Sequence, residues 1–442
     1  MMVLTENEAI EWIHSRLKFG SRPGLERVQA ILAALDHPEN KIPTIHIAGT
    51  NGKGSTVSYL KSFLMELGLT VGTFTSPYIE SFNERMMING QPIPAEKLVS
   101  LTQKVQAIVE KLDNNEHLAG ATEFEIITAM GFLYFYEEQV DIAVIEVGLG
   151  GLLDCTNVIT PILTGITTIG LDHQDILGES LAEIAFQKAG IIKRKVPLVT
   201  GVIDEESLVV INQIAKEKQA TVWHYGTDYQ ATYLHRKQPW GECFDYQDEE
   251  GMIKNLVTPL LGHHQVENAA MAIRLFKVYC QLKKIPFQNK WLIQGLAKTF
   301  WPARMEKISD QPLIILDGAH NLPAMHRLVE NLQDFKDYHK YILFSALQTK
   351  DVFGMLDTLL ALPNTEIIVS SFEHPKSITM TEQIEQYAPE KLSVVSLWQF
   401  GLAEILENMQ EQDMLLITGS LYFVSQVRQL LLNEIENQEE GV

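Results

Sequence analysis

The chain has 442 residues, too many for one average core, so two domains are expected, and its 46% hydrophobic and 21% charged content is that of a globular protein. A formal net charge of −21 argues against a nucleic acid or an anionic membrane as partner, because such polyanions are held by clusters of Lys and Arg that this sequence lacks. Three widely spaced cysteines (Cys155, Cys243 and Cys280) make neither a disulfide framework nor a zinc pattern, and neither a leader peptide nor a membrane-length apolar run is visible, so a cytoplasmic location is expected.

Thr5 followed by Glu8 is a capping-box signature, after which Ile10, Ile13 and Leu17 mark an amphipathic helix. Beyond the turn at Arg22-Pro23-Gly24, residues Leu25, Val28, Ile31, Leu32 and Leu35 mark a second. The stretch from Thr44 to Leu67 then reads as strand, glycine-rich corner and helix: Ile45 and Ile47 alternate with polar neighbours, while Val57, Leu60 and Leu64 recur at helical spacing until Gly68. At such a corner the free N–H groups of the first helical turn and the positive end of the helix dipole converge, which favours an anion. Gly49, Gly52 and Gly54 allow close approach, Lys53 adds a charge for the outer phosphates, and Ser55 or Thr56 adds a hydroxyl that can reach magnesium. The strict phosphate-loop pattern wants a glycine at Ile47, so this is a variant; a turn of this composition can also be nothing more than a turn.

Val71 to Thr75 reads as a strand and residues 75–90 as a polar loop; Ala95 to Leu112 and Glu123 to Glu138 are helical in pattern. Asp141 to Val147 and Ile162 to Ile169 are continuous apolar runs, as strands buried on both faces are, and the alternation predicts a parallel sheet covered on both sides. Residues 220–257 alternate aromatic and polar, predicting antiparallel strands attached to the main sheet. His263 to Leu282 is a long helix and Gln294 to Glu306 a connector. Five further apolar runs, beginning at Leu313, Tyr341, Glu366, Leu392 and Met414, predict a Rossmann-like second domain from about Trp301, and the acidic tail from Asn433 is expected to fray.

Three segments follow predicted strands, at the edge where open α/β sheets collect ligands. Glu146 ends its strand beside a glycine cluster that would let phosphate or substrate approach. Asp172, His173 and Asp175 follow another strand, and Lys188 lies on the apolar face of the next helix, where an unpartnered ammonium is costly. Asp317 and His320 occupy the turn leaving the first strand of the second domain. Each has an ordinary structural explanation alone: a helix cap, a loop histidine, turn chemistry.

Together these residues resemble the folylpolyglutamate synthase family, including its bifunctional dihydrofolate synthase members, within the Mur ligase group. The resemblance is carried by GTNGKGS (Gly49 to Ser55), FTSPYI (Phe74 to Ile79), EVGLGGLLDCTN (Glu146 to Asn157), LDHQ and FQKAGIIK (Leu171 to Gln174, Phe186 to Lys193), HHQVENA (His263 to Ala269), WPARME (Trp301 to Glu306) and DGAHN (Asp317 to Asn321). It implies an α/β fold: a P-loop central domain with a parallel sheet over residues 1–300, bearing the ATP and folate sites, and a smaller Rossmann-like domain over 301–442. It also implies an ATP-dependent amide ligase that phosphorylates the terminal carboxylate of a folate and lets the amine of L-glutamate displace the phosphate.

By the same resemblance Asn51, Gly52, Lys53, Gly54, Ser55, Asn268, Arg304 and Asp317 bind ATP. Ser76, Glu146, His173 and a carbamylated Lys188 hold two Mg²⁺ ions, His173 being unusual because Mg²⁺ prefers oxygen. Lys188, Asp317 and His320 stand as catalytic residues, domain closure precedes reaction, and the enzyme is a monomer. The chain departs from the pattern at Leu152, where many relatives have arginine, at Cys155 (alanine or serine), at Ala303 (glycine) and at Lys376 (arginine). Two other readings are a peptidoglycan-precursor Mur ligase acting on a UDP-muramyl acceptor, and a nucleotide-gated binding module that uses hydrolysis as a switch.

Overall fold

The computed structural model describes residues 3–20, 22–379, 382–388 and 390–440. The chain divides into two compact units, Met1–Pro259 with Gln265–Thr299, and Leu260–His264 with Phe300–Val442.

In the first unit the strands are β1 (Thr44–Ala48), β2 (Val71–Phe74), β3 (Met86–Ile88), β4 (Gln91–Pro92), β5 (Ile142–Glu146), β6 (Leu163–Ile166), β7 (Leu198–Thr200), β8 (Val222–His224), β9 (Tyr229–Arg236), β10 (Glu242–Asp248) and β11 (Gly251–Thr258). The first eight form one sheet in the order β4-β3-β2-β5-β1-β6-β7-β8, parallel from β2 to β8. Every residue of β1 and β5 is buried, as their continuous apolar runs require in a sheet covered on both faces. One covering layer is built from Ile13, Val28, Ile31, Leu101, Ile126 and Phe135 on four helices; the other includes Ala185, Ala189, Ile191 and Ile211. The helices start where local chemistry tells them to: capping boxes at Thr5/Glu8, Thr122/Glu125 and Ser180/Glu183 satisfy orphan amides, a cap being worth about 1 kcal/mol. Gly68, at φ +90, closes the helix Lys53–Glu66 by donating to Met65 O.

The structure departs from the sequence reading in several places. The polar loop of residues 75–90 contains β3, which with β4 extends the sheet antiparallel to β2; Met86 is fully buried among turn-forming neighbours that mask its strand. Only β8 of the 220–257 region joins the main sheet, while β9, β10 and β11 form a separate antiparallel sheet. A helix, Asn289–Lys298, occupies the front of the expected connector, and Gly295 lets it press on the helix Lys53–Glu66, where a Cβ would lie 2.6 Å from Phe63 Cδ1. The tail continues the last helix, Leu421–Glu440, since Glu and Gln extend a helix readily once it has begun; residues 441 and 442 lie outside the described residues.

In the second unit β12 (Glu306–Asp310), β13 (Leu313–Leu316), β14 (Lys340–Phe344), β15 (Thr365–Ser370), β16 (Leu392–Val395) and β17 (Met414–Thr418) form a sheet ordered β12-β13-β17-β14-β15-β16. All but β12 run parallel, with helices in the crossovers. The sequence reading missed β12, a polar edge strand paired antiparallel with β13. Among the described residues no helix is long and apolar enough to cross a membrane.

Candidate active site

Strand order sets the site. With β2, β5, β1 and β6 side by side and parallel, their carboxyl ends present in a row Ser76 just past β2, Glu146 at the end of β5, the glycine loop leaving Ala48, and residues 167–173 past β6. Register places Ile47 opposite Glu146 and Ala48 opposite Ile166, so loop and carboxylate emerge at one level.

The loop is braced from a distance. Thr50 N–H donates to Thr168 O at 2.8 Å, Asn51 N–H to Thr168 Oγ1 at 3.0 Å, and Thr167 Oγ1 to Asn51 O at 2.6 Å. Gly52 caps the helix at φ +85, a left-handed conformation that favours glycine, and a Cβ there would collide with Asn268 Oδ1 from the helix His263–Lys283. Asn268 is thus brought to the loop, as expected of a nucleotide-contacting residue. Lys53 Nζ folds back to donate to Gly49 O at 3.0 Å and Thr50 O at 3.3 Å, and stands 4.0 Å from Glu146 Oε1. Gly54 and Ser55 follow in the first helical turn, Ser55 buried. Thr167 and Thr168 were not singled out from the sequence; nothing local marks them, because their partners lie more than a hundred residues away.

Lys188 is 4% exposed near the end of the helix Leu181–Ala189. Burial first, and then the neighbouring ammonium of Lys53, push its pKa down to about 7; Asp172 and Asp154 oppose the shift. A large share of Lys188 is therefore the neutral, nucleophilic amine at neutral pH. Glu146 is as deeply buried. The glycine cluster after β5 serves packing: a Cβ on Gly151 would lie 2.7 Å from Gln187 O and 2.9 Å from Lys188 O, and one on Gly148 would collide with Phe124. Gly148 brings the turn against Phe124, and Gly151 brings it against the Lys188 helix. Leu152 N–H seals this contact by donating to Gln187 O at 2.7 Å.

Ser76 is half-buried. His173 is exposed, sits at φ +50 ahead of a four-residue helix, and donates its N–H to Asp172 Oδ1 at 3.0 Å. Among the described residues no three His, Cys, Asp or Glu side chains gather closely enough to hold a metal ion. Of the expected metal set only Glu146 and His173 are of those types, so the rest of the donors would have to be the Ser76 hydroxyl and a modified Lys188. The oxygen chemistry of Ser76, Glu146 and a lysine carbamate suits Mg²⁺; the nitrogen of His173 is the exception.

In the second unit Asp317, 7% exposed, accepts from Met305 N–H and Ala319 N–H, both at 2.9 Å. Burial raises its pKa while Arg304 and these two amides pull it down, so Asp317 fixes the 303–305 turn from which Arg304 projects. Arg304 donates from Nη1 to Ala303 O at 3.0 Å. His320 Nδ1 donates to Gly318 O at 2.8 Å, which sets the tautomer. Ala303 sits at φ +52, where any Cβ is strained. Glycine would relieve that strain, so Ala303→Gly should raise stability to urea by about 1 kcal/mol.

Comparison with known proteins agrees with this architecture. Residues 47–276 match the Mur ligase middle domain and residues 303–421 the Mur ligase glutamate ligase domain. The dihydrofolate synthase/folylpolyglutamate synthase of Bacillus subtilis is 41% identical over 97% of this chain and 100% of its own length. The folylpolyglutamate synthase of Lacticaseibacillus casei is 39% identical over 96% and 98%. A solved complex of a folylpolyglutamate synthase with AMPPCP and folate superposes with a TM-score of 0.84 at 37% identity, covering 97% of this chain and all of that one. The class these matches define is that of the Mur-type ligases. Within it, the chain belongs to the folylpolyglutamate synthase family.

Proposed function

We infer that this protein is an ATP-dependent amide ligase that adds L-glutamate to the γ-carboxylate of tetrahydrofolate or its polyglutamates, releasing ADP and phosphate. The observation that carries this reading is a braced phosphate loop whose Lys53 stands 4.0 Å from a buried carboxylate, with a lysine held near neutrality beside it. Two anions, a triphosphate and a carboxylate, must touch for the reaction to begin, so local cation density in a chain of net charge −21 is the central requirement. The amides of residues 52–55 and Lys53 hold the phosphates, with Asn51, Gly54, Ser55 and Asn268 shaping their seat. Arg304, on a turn fixed by Asp317, contributes a further phosphate contact, and His320 positions phosphate or the incoming amine. A folate carboxylate oxygen attacks the γ-phosphorus as the bond to ADP breaks; the glutamate nitrogen then attacks the acyl carbon, phosphate leaves and the amine loses a proton.

Ser76, Glu146, His173 and Lys188 are assigned as ligands of two Mg²⁺ ions, which when bound would neutralise phosphate charge. For this Lys188 reacts as the free amine with CO₂: a nitrogen–carbon bond forms, one C=O pair moves to oxygen, and a proton leaves, converting a buried cation into an oxygen-bearing anion. We assign ATP and folate binding to residues 1–300 and the glutamate ligase role to 301–442, in a cytoplasmic monomer without nucleic-acid or membrane partners. Joining glutamate to dihydropteroate is a second activity of the same chemistry.

The test supplies ATP, glutamate and one acceptor at a time: tetrahydrofolate, dihydropteroate or a UDP-muramyl peptide. Phosphate release and a product one glutamyl residue heavier are expected with tetrahydrofolate. Turnover with the UDP-muramyl acceptor alone, or equal ATP hydrolysis with no acceptor, would overturn the reading in favour of a peptidoglycan ligase or a switch.

A further inference from the structure

The segment Asp154–Asn157 has no part in the reaction described above, yet it ties three pieces of the first unit together. Asp154 Oδ2 accepts from Leu149 N–H at 2.8 Å and so holds the turn that follows Glu146. Thr156 gives Asp154 Oδ1 both its N–H, at 3.0 Å, and its hydroxyl hydrogen. Having donated its one hydrogen to a carboxylate, Thr156 Oγ1 must accept from His46 Nε2, 2.8 Å away, which sets the His46 tautomer. His46 lies on β1, two residues before Ala48 and the phosphate loop.

Asn157 completes the clamp. Its Nδ2 donates to Leu152 O at 3.0 Å and to Gly190 O at 3.2 Å, two residues beyond Lys188. His46 and Thr156 are fully buried and Asp154 and Asn157 nearly so, so water does not compete for these bonds.

We propose that His46, Thr156 and Asn157 are positioning residues, which clamp the 148–152 turn to β1 on one side and to the end of the Lys188 helix on the other, and thereby set how Glu146 and Lys188 are presented to the transferring phosphate. The proposal rests on the reading that Glu146 and Lys188 serve the ligase reaction. Each acts through its hydrogen bonds to buried side chains or backbone carbonyls.

Thr156→Val keeps the shape and removes the hydroxyl, Thr156→Ser keeps the hydroxyl, and Asn157→Ala cuts the second arm. On the full chain, with ATP, glutamate and tetrahydrofolate, T156V and N157A should lower kcat about 10-fold or more. KM for ATP should stay within about 3-fold, and T156S should recover most of the loss. Hydrogen exchange should quicken in peptides covering 148–152 and 186–192 while the helix Lys53–Glu66 stays protected. If T156V does not fold, N157A decides by the same measurements. Parental kcat in folded T156V and N157A, or quickened exchange with unchanged kcat, overturns the proposal. Lys188→Met and Glu146→Gln are assayed alongside: if they are inactive while the clamp variants are fully active, the clamp alone is refuted. If they retain activity, the reading of the site falls and the proposal with it.

Discussion

Lys188→Met is expected to abolish ligase activity, by about a thousandfold or more, and at the same time to make the protein harder to unfold. The two effects share one cause. Burial and the Lys53 charge depress the pKa of Lys188 to about 7 from its ordinary 10.5, so the folded chain resists protonating a group that the unfolded chain protonates freely. Between pH 7 and 10.5 the unfolded state therefore holds the extra proton, and stability rises with pH across that window; below pH 7 both states are protonated and the full cost of a buried ammonium is present. Methionine removes the cost, so the variant's advantage in urea should be on the order of a few kcal/mol at pH 6 and shrink towards pH 10. The measurement is made without Mg²⁺ and in CO₂-free buffer. An advantage independent of pH would mean that Lys188 keeps its proton in the fold, and unaltered turnover would remove the lysine from the mechanism.

Gly52→Ala should cut kcat/KM for ATP about 100-fold, because two penalties fall at the point where phosphate is held. The residue sits at φ +85, and a Cβ would collide with Asn268 Oδ1, so the loop must shift or Asn268 must leave it. Gly68→Ala separates these penalties: at φ +90, with nothing within 4 Å of the new Cβ, it carries the backbone strain without the collision. It should lose about 1 kcal/mol of stability and keep its activity. Equal catalytic defects in both variants would show that strain alone, transmitted through the helix they flank, accounts for the effect.

What could be read from the residues was what is written locally. Strands β1 and β5 announced themselves as apolar runs, the helices as capping boxes and periodic apolar positions, and Glu146, Asp317 and the loop as polar groups directly following strands. What could not be read was written across distance. Thr167 and Thr168 look like any strand-end threonines until β6 is laid beside β1. The glycines at 148–151 gave no sign that their neighbours would be Phe124 and the backbone of Gln187 and Lys188. Short polar edge strands, β4 and β12, lack the hydrophobic alternation on which strand recognition depends.

The small antiparallel sheet of β9, β10 and β11 is fastened where it meets the helix His263–Lys283. Arg274, fully buried, pairs with Glu249 at 2.8 Å and Asp248 at 3.3 Å, and Lys277 pairs with Asp248 and Glu250. That fastening lies at the β10–β11 end, whereas Lys237, Gln238 and Pro239, between β9 and β10, are exposed at the opposite turn. A reporter group or affinity handle spliced between Gln238 and Pro239 would therefore hang on an exposed turn from an anchored support, giving experimenters a port for labelling the enzyme.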